Sequence, residues 1–448
     1  MSKSSSEKSD MKWWQLSLFG VGCTIGTGFF LGSSIAIKMT GPSILIAFII
    51  AAMGTYIVFD GLAKMTVQDP QQGGFRTYAK QAFGRWAGFS SGWVYWCSEV
   101  LIMGSQMTAL SIFSRFWFPN LPLWVFATGY SILGMVVIMI GVGILNKVEN
   151  ILAILKIAAI LMFIIIALLA IFGVIDGDKP LQYPRNTKDI FPHGIMGLWS
   201  SVIFAFYAFG GIEILGLMAS KLKDPKEAPK AGKVMLFTLT VIYLVSIGLA
   251  VIMVSSGAFN SKESSFVIAL DNYNLAFIPH IFNAALIIAG FSTMVASLFG
   301  VTSILVTLSE EGDAPAIFSK KGKLSVPWPT LLITLAGISL SILSALLMPG
   351  KIYEYVTTAA SLMLLYNWIF ILASSIRLLE VTAKGKIKYL IGILFILIAV
   401  SGTLFHATSR PGFFISIIFV GTIGIITFFM RFKWKMKKKK VYSPWPTA

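Results

Sequence analysis

Charged residues are scarce. They make up 12% of this 448-residue chain, against about 25% in an ordinary soluble domain, which excludes a conventional water-facing surface. Cysteine is scarcer still. Cys23 and Cys97 are the two present, both inside apolar stretches, so there is neither a disulfide framework nor a metal-ligand spacing. The three histidines, His193, His280 and His406, are scattered near the ends of apolar stretches and form no nucleophile–base pair or metal set. A Gly-x-x-x-x-Gly-Lys-Ser/Thr phosphate loop is also missing. Enzyme chemistry and any bound cofactor are therefore not expected.

What the chain has in abundance is apolar sequence. Hydrophobic residues account for 56% of it, and stretches of about 20 apolar residues, enough to cross a bilayer as a helix, recur from end to end. Twelve such segments are expected: 14–37, 43–63, 87–113, 123–144, 151–174, 195–219, 234–256, 282–308, 330–347, 353–376, 389–406 and 413–430. The loops are too short for a soluble domain, the longest external connections being about 174–194 and 257–281. The expected organisation is a polar tail over 1–13, one all-α membrane domain over 14–430 and a basic tail over 431–448. The apolar run after residues 4–10 lacks a small-residue cleavage site, so the first segment is expected to be retained rather than removed as a signal peptide.

The net charge of +17 would suit nucleic acid, but its distribution suits a membrane better. With an internal N-terminus and twelve crossings, 27 of the 36 Lys and Arg residues fall on internal segments and eight on external loops, with Lys156 left inside the membrane. This bias puts both termini in the cytoplasm by the positive-inside rule. The run from Arg431 to Lys440 reads as a stop-transfer signal and an anchor for anionic lipid, not as a nucleic-acid site.

Two glycine clusters interrupt apolar segments. Residues 20–32 contain five glycines, Gly20, Gly22, Gly26, Gly28 and Gly32, and residues 206–213 read Phe-Tyr-Ala-Phe-Gly-Gly-Ile-Glu. Each glycine weakens a helix by about 1 kcal/mol relative to alanine. Unwound backbone at membrane depth must face protein or a cavity, although small residues also serve close helix packing. The clusters lie in the first and sixth segments, equivalent places if five segments repeat as five. Gly-interrupted helices in corresponding positions point to a transport site at an inverted-repeat interface. Half-helix N-termini suit a carboxylate and exposed carbonyls suit an ammonium, so a zwitterionic α-amino acid matches both.

The stretch Gly22 to Gly32 with Ile25-Gly26-Thr27-Gly28 resembles the opening motif of amino acid permeases of the amino acid–polyamine–organocation superfamily. The likeness continues through Gly41-Pro42-Ser43, Gly73-Gly74-Phe75-Arg76-Thr77-Tyr78, Trp86-Ala87-Gly88-Phe89, Gly92-Trp93-Val94-Tyr95-Trp96, the sixth segment and Asp224-Pro225-Lys226-Glu227-Ala228-Pro229. It covers nearly the whole chain. It implies a leucine-transporter-like fold, two inverted five-helix repeats plus two further helices with helices 1 and 6 unwound, in a bacterial plasma membrane. By motif position, the substrate carboxylate would sit on the backbone of Gly26, Thr27 and Gly28. The amine would meet carbonyls near Thr24 and from Tyr207 through Ala208 and Phe209 to Gly210, with Tyr207 as a gating aromatic. Cys23, Glu99 and Tyr207 would border the side-chain pocket.

Four intramembrane charges bear on mechanism. A lysine near mid-bilayer is costly and usually functional. Lys156 therefore reads as a proton carrier or cation mimic, a place where the resemblance also puts a lysine in proton-coupled relatives; snorkelling to the interface is the alternative. Glu213 is a protonatable gate or a cap on loosened backbone. Glu99 shares a helix face with Met103 and Gln106 and either selects substrate or pairs structurally. Asp60 and Lys64, four apart, suit a structural ion pair. Phe113, Phe116, Trp117 and Phe118 read as an interfacial belt.

The chain departs from the family pattern in two places. Ala219-Ser220-Lys221 gives lysine where relatives often carry an acid. Val295 and Ser303 replace a usual asparagine and arginine, leaving Ser292, Thr293 and Ser297 as the polar wall opposite Lys156. The leading expectation is proton-coupled import of a small neutral or polar amino acid. An exchanger or facilitator without proton coupling, a cationic amino acid permease and a non-transporting membrane sensor remain as alternatives.

Overall fold

The computed structural model describes residues 11–441 except 72, 141, 178–179, 220–221, 272, 274, 276, 321–326 and 348–351. Among the described residues the chain is helical, with one isolated bridge between Met11 and Leu222. In chain order the helices are α1 (Trp13–Thr24), α2 (Thr27–Phe30), α3 (Gly32–Thr40), α4 (Ile44–Gln68), α5 (Gly74–Phe83), α6 (Arg85–Ser114), α7 (Leu123–Ile140), α8 (Val142–Ile171) and α9 (Thr187–Ile190). There follow α10 (Gly194–Tyr207), α11 (Ile212–Met218), α12 (Ala228–Met253), α13 (Ser265–Leu270), α14 (Ile278–Glu310), α15 (Trp328–Leu347), α16 (Ile352–Leu378), α17 (Ala383–Gly402) and α18 (Arg410–Val441).

Among the described residues, eight helical stretches are long and apolar enough, by length and composition, to cross a membrane: Thr27–Gln68, Asn150–Ile171, Thr187–Gly216, Pro225–Met253, Ile278–Glu310, Tyr353–Leu378, Ala383–Gly402 and Arg410–Lys435. Leu123–Met139 and Trp328–Leu340 are shorter apolar helices. The expected segment 14–37 is divided between α1, α2 and α3. The segment 87–113 is the body of the 30-residue α6, whose apolar run is diluted by Glu99, Gln106 and several serines.

The outside of the bundle carries many large apolar side chains. On α17 and α18, Leu390, Leu394, Ile418, Phe428 and Phe429 are each more than half exposed. A water-soluble protein rarely shows so continuous an apolar face; a bilayer accommodates it. The inside is packed around α6 and α14, which lie side by side, with α16 against α6 and with α1 between α8 and α12. In lipid the drive for this packing is van der Waals contact and buried polar bonding, not water exclusion. Serine and threonine hydroxyls accordingly turn back onto their own helix carbonyls, as Ser111 does to Met107 and Ser361 to Thr357.

Ser220 and Lys221 lie outside the described residues, as do residues 1–10 and 442–448. Val295 is buried, and the Ser303 hydroxyl donates to the Phe299 carbonyl. Phe116, Trp117 and Phe118 are exposed at a helix end, whereas Phe113 is buried in the core with its carbonyl accepting from Asn283 Nδ2. The pair Lys64–Asp60 forms at 2.9 Å, and Lys388 from α17 joins Asp60 at 2.7 Å.

Candidate functional site

Helix α1 ends at Thr24. Ile25 (φ −71°, ψ 104°) and Gly26 (φ −150°, ψ −159°) are extended, and helix resumes at Thr27. Leu31 stays in the right-handed helical region and its N–H bonds to the Thr27 carbonyl, so α2 runs on into α3. The first backbone N–H groups after the interruption have no intrahelical acceptor. A second interruption follows Tyr207, the last residue of α10. Residues 208–211 form turns, Gly211 sits at φ +105°, and α11 begins at Ile212. That φ favours glycine, and a Cβ there would also stand 3.1 Å from the Cys23 carbonyl oxygen. The two interruptions therefore touch.

A small cavity of about 30 Å³ lies between them. Cys23, Thr24, Gly26, Thr27 and Gly28 line it from the first interruption, and Tyr207, Gly210 and Gly211 from the second. Helix α6 contributes Glu99, Ile102 and Gln106, and α14 contributes Thr293 and Ser297. The absence of side chains at Gly26 and Gly28 is what lets the walls close. A Cβ on Gly26 would come within 2.7 Å of Thr293 Oγ1, and one on Gly28 within 2.8 Å of the Tyr207 ring. The Tyr207 hydroxyl is held by Ser105 Oγ at 2.9 Å, which fixes the ring over the cavity. The Tyr353 hydroxyl reaches the Thr27 carbonyl at 3.4 Å.

Eight of the expected binding residues thus converge: Cys23, Thr24, Gly26, Thr27, Gly28, Glu99, Tyr207 and Gly210. Ala208 and Phe209 stand behind the wall. The Ala208 carbonyl accepts from the Tyr243 hydroxyl at 3.0 Å, and Phe209 packs against Phe48 and Tyr243. On α6, Met103 belongs to a separate apolar cluster with α7, α14 and α15, so the cavity face runs Glu99–Ile102–Gln106. Glu99 Oε2, Gln106 Oε1 and Thr27 Oγ1 are buried with no hydrogen-bond partner among the described residues. Buried unsatisfied polar atoms are costly, at about 1–3 kcal/mol each. Three on one cavity leave acceptor capacity pointing at whatever fills it.

Lys156 and Glu213 sit one layer out from the cavity lining. Lys156 is 1% exposed. Its ammonium donates to the Gly22 carbonyl in the last turn of α1 and to Ser292 Oγ of α14 at 2.8 Å. Glu213 opens α11. One oxygen accepts from the Gly211 N–H at 3.1 Å and the other from Trp368 Nε1 at 3.3 Å, so it caps the second interruption and ties it to α16. Thr293, next to Ser292, lines the cavity while its hydroxyl donates to carbonyls of α14.

An ion cluster clamps one end of the bundle. Arg76, fully buried, forks onto Glu311 at 3.1 and 2.8 Å and reaches Asp313 at 3.4 Å. Lys80 also binds Glu311, and Arg85 binds Asp313 at 2.7 Å. Burial raises the pKa of Glu311, but the hydrogen bonds from Arg76 and Lys80 outweigh it and leave the carboxyl below its ordinary value. Neither Glu311 nor Asp313 is visible as a partner of Arg76 in the sequence.

The amino acid permease family matches residues 15–441. The chain is 54% identical over 426 residues to the uncharacterized transporter YcgH of Bacillus subtilis, covering 95% of this chain and 96% of that protein. It is 29% identical to the aromatic amino acid transport protein AroP of Corynebacterium glutamicum, covering 83% and 82%. It is 27% identical to the L-asparagine permease of Salmonella typhimurium, covering 83% and 76%. These relatives are transporters, not enzymes, and this chain belongs to the amino acid permease family.

Proposed function

We propose that the protein imports a small neutral or polar amino acid by proton symport across the bacterial plasma membrane. In this reading twelve helices cross the bilayer with both termini cytoplasmic. Two inverted repeats, about 14–174 and 195–376, are followed by two further helices over about 389–430, and the basic tail beyond 431 rests on anionic lipid. The observation that carries the reading is the contact between the two helix interruptions around one cavity. Backbone N–H groups after Gly26 bind the carboxylate, and carbonyls at the end of α1 bind the amine. Glu99 and Gln106 face the substrate side chain. Their free acceptor oxygens favour a side chain that donates hydrogen bonds, such as an amide or hydroxyl. A relative that is an asparagine permease is in keeping with this.

Coupling is assigned to Lys156. Its ammonium holds the Gly22 carbonyl and Ser292 together, joining α1 to α8 and α14. Losing the proton would weaken that tie and release α1, and a proton gradient does work only through such a difference between states. The cavity is too small for an amino acid as it stands, so the Tyr207 ring and the α1 end must move for binding. The test is uptake into proteoliposomes under an imposed inward proton gradient, with competition by all twenty amino acids. Concentrative uptake abolished by a protonophore, and competed by asparagine or serine, is expected. Exchange that ignores the gradient would overturn the symport assignment.

A further inference from the structure

A second and larger hollow lies away from the substrate cavity, between α6 and α18. Its volume is about 560 Å³, and the exposed Ile418 and Ile426 of α18 are among its lining residues. Phe89, Trp93 and Trp96 form one wall, at i, i+4 and i+7 on a single face of α6; Phe419 and Ile423 of α18 form the other, and the loop 312–315 closes one end. Lys433 stands at that same end. From Lys433 to Ile418 the helix rises about 22 Å, close to the depth of one leaflet with its headgroup layer. The groove therefore has an apolar shaft of leaflet length and a cation at headgroup level.

The charge at the mouth is unbalanced. Asp313 is the acid that lines the groove, but it is fully buried and already held by Arg76 and Arg85. Its backbone carbonyl accepts from Trp93 Nε1 at 3.2 Å, which anchors the indole in the groove wall. Arg431 and Lys435 are exposed on the same turns of α18 as Lys433. Arg85 lies over the Trp434 ring at 4.8 Å and Arg431 over the Trp86 ring at 5.0 Å, so guanidinium–indole contacts pin α18 to the start of α6.

We propose that this groove holds one acyl chain of an anionic membrane phospholipid, with its phosphate on Lys433. A lining that is largely apolar and includes exposed side chains of α18 selects a lipid chain, and the cationic mouth selects an acidic headgroup. The loop that carries Asp313 lines the groove at its cationic end, so the bound lipid would brace the clamp formed by Arg76, Glu311 and Asp313. The site is independent of the substrate cavity.

Tryptophan quenching tests the proposal. The full chain is reconstituted in phosphatidylcholine vesicles carrying a trace of dibrominated phosphatidylglycerol or dibrominated phosphatidylcholine. Phosphatidylglycerol should reach half-maximal quenching at about fivefold lower mole fraction, as expected for one basic residue near the surface. Lys433→Glu should erase that preference and Lys433→Arg should keep it. Thr422→Phe, which fills the groove from α18 without adding an indole, should erase it while leaving the protein folded by thermal melt. Equal quenching by both lipids in the unaltered chain overturns the proposal. So does a preference that survives both Lys433→Glu and Thr422→Phe.

Discussion

The Lys156 ammonium donates to the Gly22 carbonyl, one turn before α1 gives way to extended backbone. Gly22 is two residues short of the end of α1 at Thr24, in the last turn, where a carbonyl has no partner within its own helix. A side chain from α8 thus supplies what the helix lacks, and Ser292 shares the same ammonium at 2.8 Å.

Lys156→Met keeps length and removes titration. It should reduce gradient-driven accumulation at least tenfold while leaving counterflow exchange of preloaded substrate measurable. Lys156→Ala should lose both. Labelled amino acid accumulation in proteoliposomes, with and without an imposed proton gradient, separates these outcomes. If Lys156→Met still concentrates substrate and still responds to a protonophore, the coupling proton is carried elsewhere, and Glu213 is the next group to replace.

Gly26→Val and Gly28→Val should each abolish substrate binding while leaving membrane insertion intact. A Cβ at position 26 meets Thr293 and one at 28 meets the Tyr207 ring, so either valine wedges the interruptions apart and fills the cavity. β-Branching also stiffens the local backbone. Thermal stabilisation of the purified variants by substrate is the readout. Wild-type stabilisation in either variant would remove that glycine from the site.

Much of this site is legible in the sequence because its signals are local. A cluster of glycines in an apolar run, a lysine in Ile-Leu-Lys-Ile-Ala and an acid beside Gly-Gly are each odd within a membrane helix, and each lands at or beside the cavity. The parts that were not legible are the long-range ones. Nothing in the spacing pairs Arg76 with Glu311, 235 residues away, or Glu213 with Trp368. Gln106 was visible as a neighbour of Glu99 on a helix face, but the packing of α7 and α15 decides that Met103 faces away and Ile102 faces in. Lys388, the second partner of Asp60, is hidden for the same reason.

The clamp at Arg76 should make the protein acid-sensitive. The folded carboxyl of Glu311 lies below its ordinary value of 4.5, so at pH values near there the unfolded chain binds more protons than the folded one. Its contribution is complete above about pH 4.5 and is lost as pH falls through the lower folded value. The melting temperature in detergent should therefore drop on acidification, and Glu311→Gln should flatten part of that drop. Arg76→Ala should cost about 3 kcal/mol, the low end for breaking a buried pair, because the Glu311 side chain keeps 26% exposure. An unchanged melt in Arg76→Ala would mean that Lys80 and Arg85 hold both acids unaided.

Substrate choice should follow the two free acceptors on α6. A site built to accept hydrogen bonds rejects ligands that cannot donate them, because its own buried oxygens are then left unpaired. Gln106→Leu should weaken competition by asparagine or serine about tenfold, the equivalent of about 1.4 kcal/mol, and leave alanine little changed. Glu99→Gln keeps an acceptor and removes the titratable carboxyl. With a neutral substrate the ranking of competitors should persist in Glu99→Gln at lower protein yield. With a cationic substrate, preference for lysine and arginine over serine would collapse. Competition profiles of the unaltered chain and both variants, measured in the same vesicles, decide between them. Saturable lysine uptake that serine fails to compete would assign Glu99 to a cation and replace the neutral-substrate reading.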